Sequence, residues 1–188
     1  MVVPICEHMG LDGVEIIMGW ENAFGINLSE AEVFELRTPR QAIDLIAAKV
    51  GASDREPGVC LGLRAYHRIR QAFCSVAKVP RLQIRLNSKL RVLLPQEQRQ
   101  NVWKAIFAQA GFPEAPACGW GAGIIFMPIT VKDMVVWSVA YHPRSLVSSD
   151  ERWTRAQVRS VVRAMITEII GAGKFSDDDD FVQDIGIN

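Results

Sequence analysis

Residues 11–27 read LDGVEIIMGWENAFGIN and residues 38–50 read TPRQAIDLIAAKV. In the first stretch Ile16, Ile17, Trp20 and Phe24 recur at three- and four-residue steps, the spacing that gathers side chains on one face of a helix. Gly25 stops it, because glycine accepts the left-handed backbone that closes a helix C-terminus. In the second stretch Ala42, Ile43 and Ile46 form an inner face. Thr38 with Gln41 spells a capping box there, and Pro39 suits the first turn, where an amide hydrogen would go unused. Ser29 with Glu32 spells another box and starts a short helix between the two.

Working outward, residues 1–9 show no periodicity and read as an arm or short cap, and GASDREPG at 51–58 is a linker by composition. From Leu61, the residues Tyr66, Ile69, Phe73 and Ala77 make a helical stripe. A basic loop follows, closed by Leu90, Leu93 and Leu94 before Pro95. Residues 98–110 read as a helix carrying Val102, Trp103 and Ile106, with Gly111 as its stop. Residues 112–127 are apolar, glycine-rich and punctuated by proline. Thr130 with Asp133 opens the next helix through Val135 and Val139, and residues 142–151 read as a second linker. Thr154 with Gln157 opens a last helix whose inner face is Val158, Val161, Met165 and Ile169, ending at Gly171 and Gly173. SDDDDFVQDIGIN completes the chain, with Phe181 and Ile185 as buried anchors.

Leu11, Asp12, Val14 and Glu15 resemble the start of the second helix of acyl carrier proteins, which opens D-S-L-D-x-V-E and carries phosphopantetheine on that serine. The position of that serine is Gly10 here, and a glycine has no hydroxyl to modify. FVQDIGIN at 181–188 resembles the loop ending F-V-x-D-L-G-x-D that precedes the serine in the same family. Joined end to start, FVQDIGIN followed by GLDGVEIIM reads as a nearly unbroken carrier sequence, so the resemblance implies a circular permutation with the termini beside the vacant attachment position.

A repeat supports this reading of the order. Tyr66, Ile69, Phe73 and Ala77 match Val158, Val161, Met165 and Ile169 at a spacing of 92, and after a gap Ile84, Leu90 and Leu94 match Phe175, Phe181 and Ile185. Thr130 stands to the later helix as Thr38 does to the earlier one. The expectation is an all-α protein of two acyl-carrier-protein-like four-helix bundles. Residues 1–52 plus 151–188 form the permuted one, and residues 60–143 form a second, inserted copy whose counterpart of the modification site falls at 96–98, again without serine. In an up-and-down bundle the first helix begins near where the last ends, so insertion there is physically reasonable. A linker of ten residues reaches roughly 33 Å, enough to leave and return. Closure within one chain is preferred, because a short tether keeps the halves at high effective concentration, with a domain-swapped dimer as the alternative.

Nearly half of the 188 residues are apolar, enough for real cores. There is no run of eighteen apolar residues and no basic segment followed by an apolar stretch at the N-terminus, so the chain reads as a cytoplasmic protein without a membrane partner. Cys6, Cys60, Cys74 and Cys118 form no CxxC pair and read as buried thiols. The formal net charge is zero, yet residues 61–118 hold ten Lys/Arg against two acids, residues 1–58 hold four against ten, and residues 144–188 six against eight. Such opposed fields pack on each other or face different partners.

No catalytic set assembles. Cys60, His67 and Cys74 are seven residues apart, about 10.5 Å along a helix, beyond hydrogen-bond reach. No catalytic role is assigned to His8, which follows Cys6 and Glu7, or to His142, which has no carboxylate or cysteine near it in sequence. Asp177 to Asp180 lacks the alternating ligands and central glycine of a calcium loop and reads as a solvated turn. GWGAG at 119–123 lacks the ending of a phosphate loop, and the apolar residues 124–127 beside it fit a domain interface or partner surface. Ser29 reads as a helix cap.

What the resemblance implies is a carrier-like protein without prosthetic group, cofactor, metal or catalysis. Asp12, Glu15 and Glu21 keep acidic positions on the helix that partner enzymes read in that family. The expected role is a protein-interaction module, scaffold or regulator near a fatty-acid, polyketide or peptide synthesis system. Two alternatives stand beside it. One is an active carrier modified at an unexpected residue; the other is a nucleic-acid-binding module using Arg64, Arg68, Arg70, Arg81, Arg85 and Arg91 of the basic copy.

Overall fold

The computed structural model describes residues 10–55, 59–94, 96–116, 129–148, 150–171 and 173–187. The N-terminal arm with Cys6 and His8, Cys118, the GWGAG segment and the apolar stretch after it lie outside these. Among the described residues the protein is all-helical: α1 (Leu11–Phe24), α2 (Glu30–Phe34), α3 (Pro39–Lys49), α4 (Leu61–Val76), α5 (Leu90–Leu93), α6 (Arg99–Gln109), α7 (Val131–Tyr141), α8 (Pro143–Leu146) and α9 (Arg155–Ile170). There is no strand among them, only isolated bridges between Ser53 and Thr154 and between Lys89 and Thr130.

The helix ends follow local chemistry. All four boxes, Ser29/Glu32, Thr38/Gln41, Thr130/Asp133 and Thr154/Gln157, form with both reciprocal bonds. Gly25 ends α1 at φ 62° and Gly171 ends α9 at φ 71°, backbone that an L side chain rarely adopts. Cys60 departs from the buried thiol expected of it. It is exposed and caps α4, its Sγ accepting the Leu63 N–H at 3.4 Å, while Cys74 is half-buried.

Helix α9 is the axis of the packing. It lies against α7 on one side and against α1 and α3 on the other, and α4 packs on α6 and α7. Its buried residues Val158, Val162, Met165 and Ile166 carry the core from one side to the other. Beyond α9 the chain turns back over α1 and α3. Phe181 lies 6.3 Å from Trp20 between ring centroids, Trp153 meets Phe24 edge-on at 5.0 Å, and Ile185 and Ile187 are buried.

The aspartate run at 177–180 is not a free solvated turn. Asp177 is buried and accepts from Arg159 and from Arg163, both on α9. Burial opposes its ionisation, but those two guanidinium bonds hold its carboxyl below the usual range. Asp178 pairs with Arg40 of α3 through both carboxylate oxygens, Asp179 accepts the Ser176 N–H, and Asp180 accepts from the Val182 and Gln183 amides.

One backbone pattern occurs twice. The Phe181 N–H donates to Arg37 O at 2.9 Å and the Arg40 N–H to Asp177 O at 2.7 Å, one bond on each side of the cap Thr38. The Leu90 N–H donates to Ile129 O at 2.9 Å and the Lys132 N–H to Leu86 O at 2.8 Å, one bond on each side of the cap Thr130. Helices α4 and α9 are each 16 residues long. Their buried positions pair as Ala65 with Val158, Ile69 with Val162, Ala72 with Met165 and Phe73 with Ile166. That spacing is 93, one more than the apolar pattern alone gives, because Tyr66 is only half-buried and sends its hydroxyl to Ile84 O.

The linker expected at 142–151 contains α8. Its Leu146 is buried, the Arg144 Nε–H donates to Ala23 O at the end of α1, and Arg68 donates to Ser145 O. A cation there also opposes the negative end of the α1 dipole.

Candidate functional site

Helix α1 has two apolar stripes, and only one is inside. Ile16, Trp20, Ala23 and Phe24 are buried against α9 and the returning tail. Leu11, Val14 and Met18, also at three- and four-residue spacing, face solvent at 87%, 54% and 56% exposure. A single exposed leucine needs no explanation, but three in a row along one helix mark a surface that something covers. Leu11, Val14 and Met18 line a shallow groove of about 410 Å³ that Tyr141 closes on the far side.

Asp12 and Glu15, the first two of the acidic positions singled out in the sequence, are exposed and lie along one side of this stripe. Both line a second cleft of about 590 Å³ between α1, the segment after α6, α7 and α9. Glu114, Trp137, Tyr141, His142 and Glu168 complete its walls. The third position, Glu21, is used elsewhere: it is half-buried and its carboxylate accepts the Leu28 N–H at 2.7 Å, shaping the loop after α1. Gly10 sits at the N-cap of α1, exposed and offering no side-chain bond to the first turn.

The cleft is electrostatically one-sided. Burial, with Asp133 nearby, pushes the Glu168 carboxyl up to about 7. Burial, together with Glu168 and Glu15, pushes the Tyr141 hydroxyl up to about 12. His142 lies between Trp137, edge-on at 4.8 Å, and Phe112 at 6.1 Å, and burial lowers its pKa, which disfavours the charged form. Among the described residues lining the cleft there is no Ser, Thr, Cys or Lys to act as a nucleophile. Carboxylates beside aromatic rings suit a cationic side chain instead.

Sequence reasoning placed Asp12 and Glu15 but missed Glu168, Glu114 and Tyr141, which come from three other parts of the chain. The one local signal was Glu168 interrupting the apolar end of α9, MITEII. The other motifs remain dispersed. His67 is exposed on α4, and no hydrogen bond joins it to Cys60 or Cys74. No group of three His, Cys, Asp or Glu among the described residues is arranged to hold a metal ion. No helix among them is long and apolar enough to cross a membrane. No protein-family model matches the sequence, and no solved structure matches the fold.

Proposed function

We propose that this protein is a non-catalytic, carrier-like interaction module that offers the outer face of α1 to a partner protein. Leu11, Val14 and Met18 supply the apolar contact, and Asp12 and Glu15 orient a basic partner surface. The observation that carries this reading is the exposure of that stripe beside two carboxylates, on a helix whose opposite face is fully packed. The partner expected from the resemblance is an enzyme that reads carrier proteins, with this chain as scaffold or regulator beside fatty-acid, polyketide or peptide synthesis. Copurification from the native host tests it. A partner retained by the wild type and lost with Val14→Asp/Met18→Asp supports the reading; identical partners for both chains contradict it.

The architecture that goes with this function is two carrier-like bundles. One is closed by the two ends of the chain (1–52 and 151–188), and the other is inserted between them (60–143). What supports it is the recurrence of the same two backbone bonds around Thr38 and Thr130, the 93-residue register of α4 and α9, and the packing of Phe181 on Trp20. In this reading Gly10 occupies the attachment position, and the protein acts by contact rather than through a prosthetic arm.

A further inference from the structure

Residues 78–92 carry Lys78, Arg81, Arg85, Lys89 and Arg91 with no acidic residue among them. All five cations are exposed, and among the described residues none of the five is paired with a carboxylate. The chain's opposed charges discharge each other at one described ion pair, Arg64 with Glu151; the other pairs lie within residues 32–49 and 155–178. Between these cations Leu82, Val92 and Leu86 stand 85%, 75% and 48% exposed. The segment is nonetheless firmly built. Ile84, Leu90, Leu93 and Leu94 are buried beneath it, Tyr66 donates to Ile84 O at 2.8 Å, and Ser88 Oγ donates to Gln83 O at 2.7 Å.

This ridge is the complement of the α1 face. Each surface sets three large apolar side chains among charges of one sign, and the signs are opposite. Both are exposed in the same chain, so neither covers the other in cis. We infer that the ridge at 78–92 docks the α1 face of a second copy of this chain. Two copies related by a two-fold axis make the contact twice, each giving one surface and receiving the other, which closes a dimer without leaving either patch in water. The inference rests on the reading of α1 as a docking face and names its occupant. Like-signed clusters of this kind steer association and make it salt-dependent.

Sedimentation of the full chain from low micromolar to near-millimolar concentration, at low and high salt, tests it. The wild type should associate at low salt and dissociate as salt rises. Asp12→Arg/Glu15→Arg and Arg81→Glu/Arg85→Glu, both confined to exposed positions and checked for unchanged helicity, should each weaken association by about tenfold or more. Mixing those two variants should restore it, since the acids placed at 81 and 85 of one then meet the arginines placed at 12 and 15 of the other, while the remaining pair of faces keeps its natural charges. A wild type that stays monomeric throughout, association untouched by both variants, or a mixture that stays apart overturns the inference. A monomeric wild type that binds an RNA oligonucleotide or anionic vesicles, and loses them with Arg81→Glu/Arg85→Glu, overturns it in favour of that ligand. A monomeric wild type that still loses a native partner on Val14→Asp/Met18→Asp overturns only the second-copy assignment and leaves α1 as a docking face.

Discussion

Trp20 in the first helix and Phe181 in the last turns of the chain pack ring to ring, 6.3 Å between centroids and inclined at 43°. Both are almost fully buried, at 1% and 2% exposure. The tail therefore completes the core under the head, and removing its ring leaves a cavity that the flanking helices cannot close. Phe181→Ala should cost about 3–5 kcal/mol in urea unfolding. A loss under about 1 kcal/mol contradicts the packing.

Gly19 tests the neighbouring contact, that of α1 with α9. A methyl group there would sit 2.7 Å from Met165 Sδ, on a side chain that is fully buried in α9. Helix propensity favours Gly→Ala by roughly 1 kcal/mol, but overpacking a full core costs about 1–3. Gly19→Ala should therefore be more favourable in a Met165→Ala background than in the wild type, by about 1 kcal/mol or more. Equal effects in the two backgrounds mean that α1 and α9 do not meet at this point.

The ion pair between Arg64 and Glu151 joins the basic middle of the chain to its acidic end. Both side chains are about a quarter exposed, and the Arg64 guanidinium, with Gln157 and the Ser148 amide, holds Glu151 down to about 2 from 4.5. A depressed carboxylate stabilises the fold above its ordinary pKa, and that contribution fades as pH falls from 4.5 toward 2. Glu151→Gln should cost about 1–2 kcal/mol at neutral pH, after discounting for solvent access, with the difference from wild type narrowing through that window. A pH-independent difference contradicts the pairing.

Glu168 carries the opposite sign. Its carboxyl is raised from 4.5 to about 7 by burial, so the folded chain holds a proton that the unfolded chain releases, and stability falls as pH rises through that interval. Glu168→Gln should flatten this slope and raise the melting temperature above pH 7 while changing little below 4.5. An unchanged slope places Glu168 in water rather than in the cleft floor.

Features of short range were legible in the sequence. A capping box is decided within four residues, so all four spelled boxes form, as do the glycine stops at Gly25 and Gly171. Features made by distant residues were not. Helix α8 is a single turn with no periodicity to read, and Leu146 is buried only because other helices cover it. Asp177 looked like one of four solvated acids until α9 brought Arg159 and Arg163, one turn apart, over it. Asp12 and Glu15 were visible as acids, but the cleft they flank needs Glu114, Tyr141 and Glu168 from other elements.

In the proposed reading the chain is carrier-like, Gly10 occupies the attachment position, and the protein acts by contact alone. Intact mass after incubation with coenzyme A and a phosphopantetheinyl transferase, run on the wild type and on Gly10→Ser, tests it most directly. The wild type should be unchanged and the Gly10→Ser chain heavier by one phosphopantetheine arm. An arm on the wild type, or none on Gly10→Ser, contradicts it.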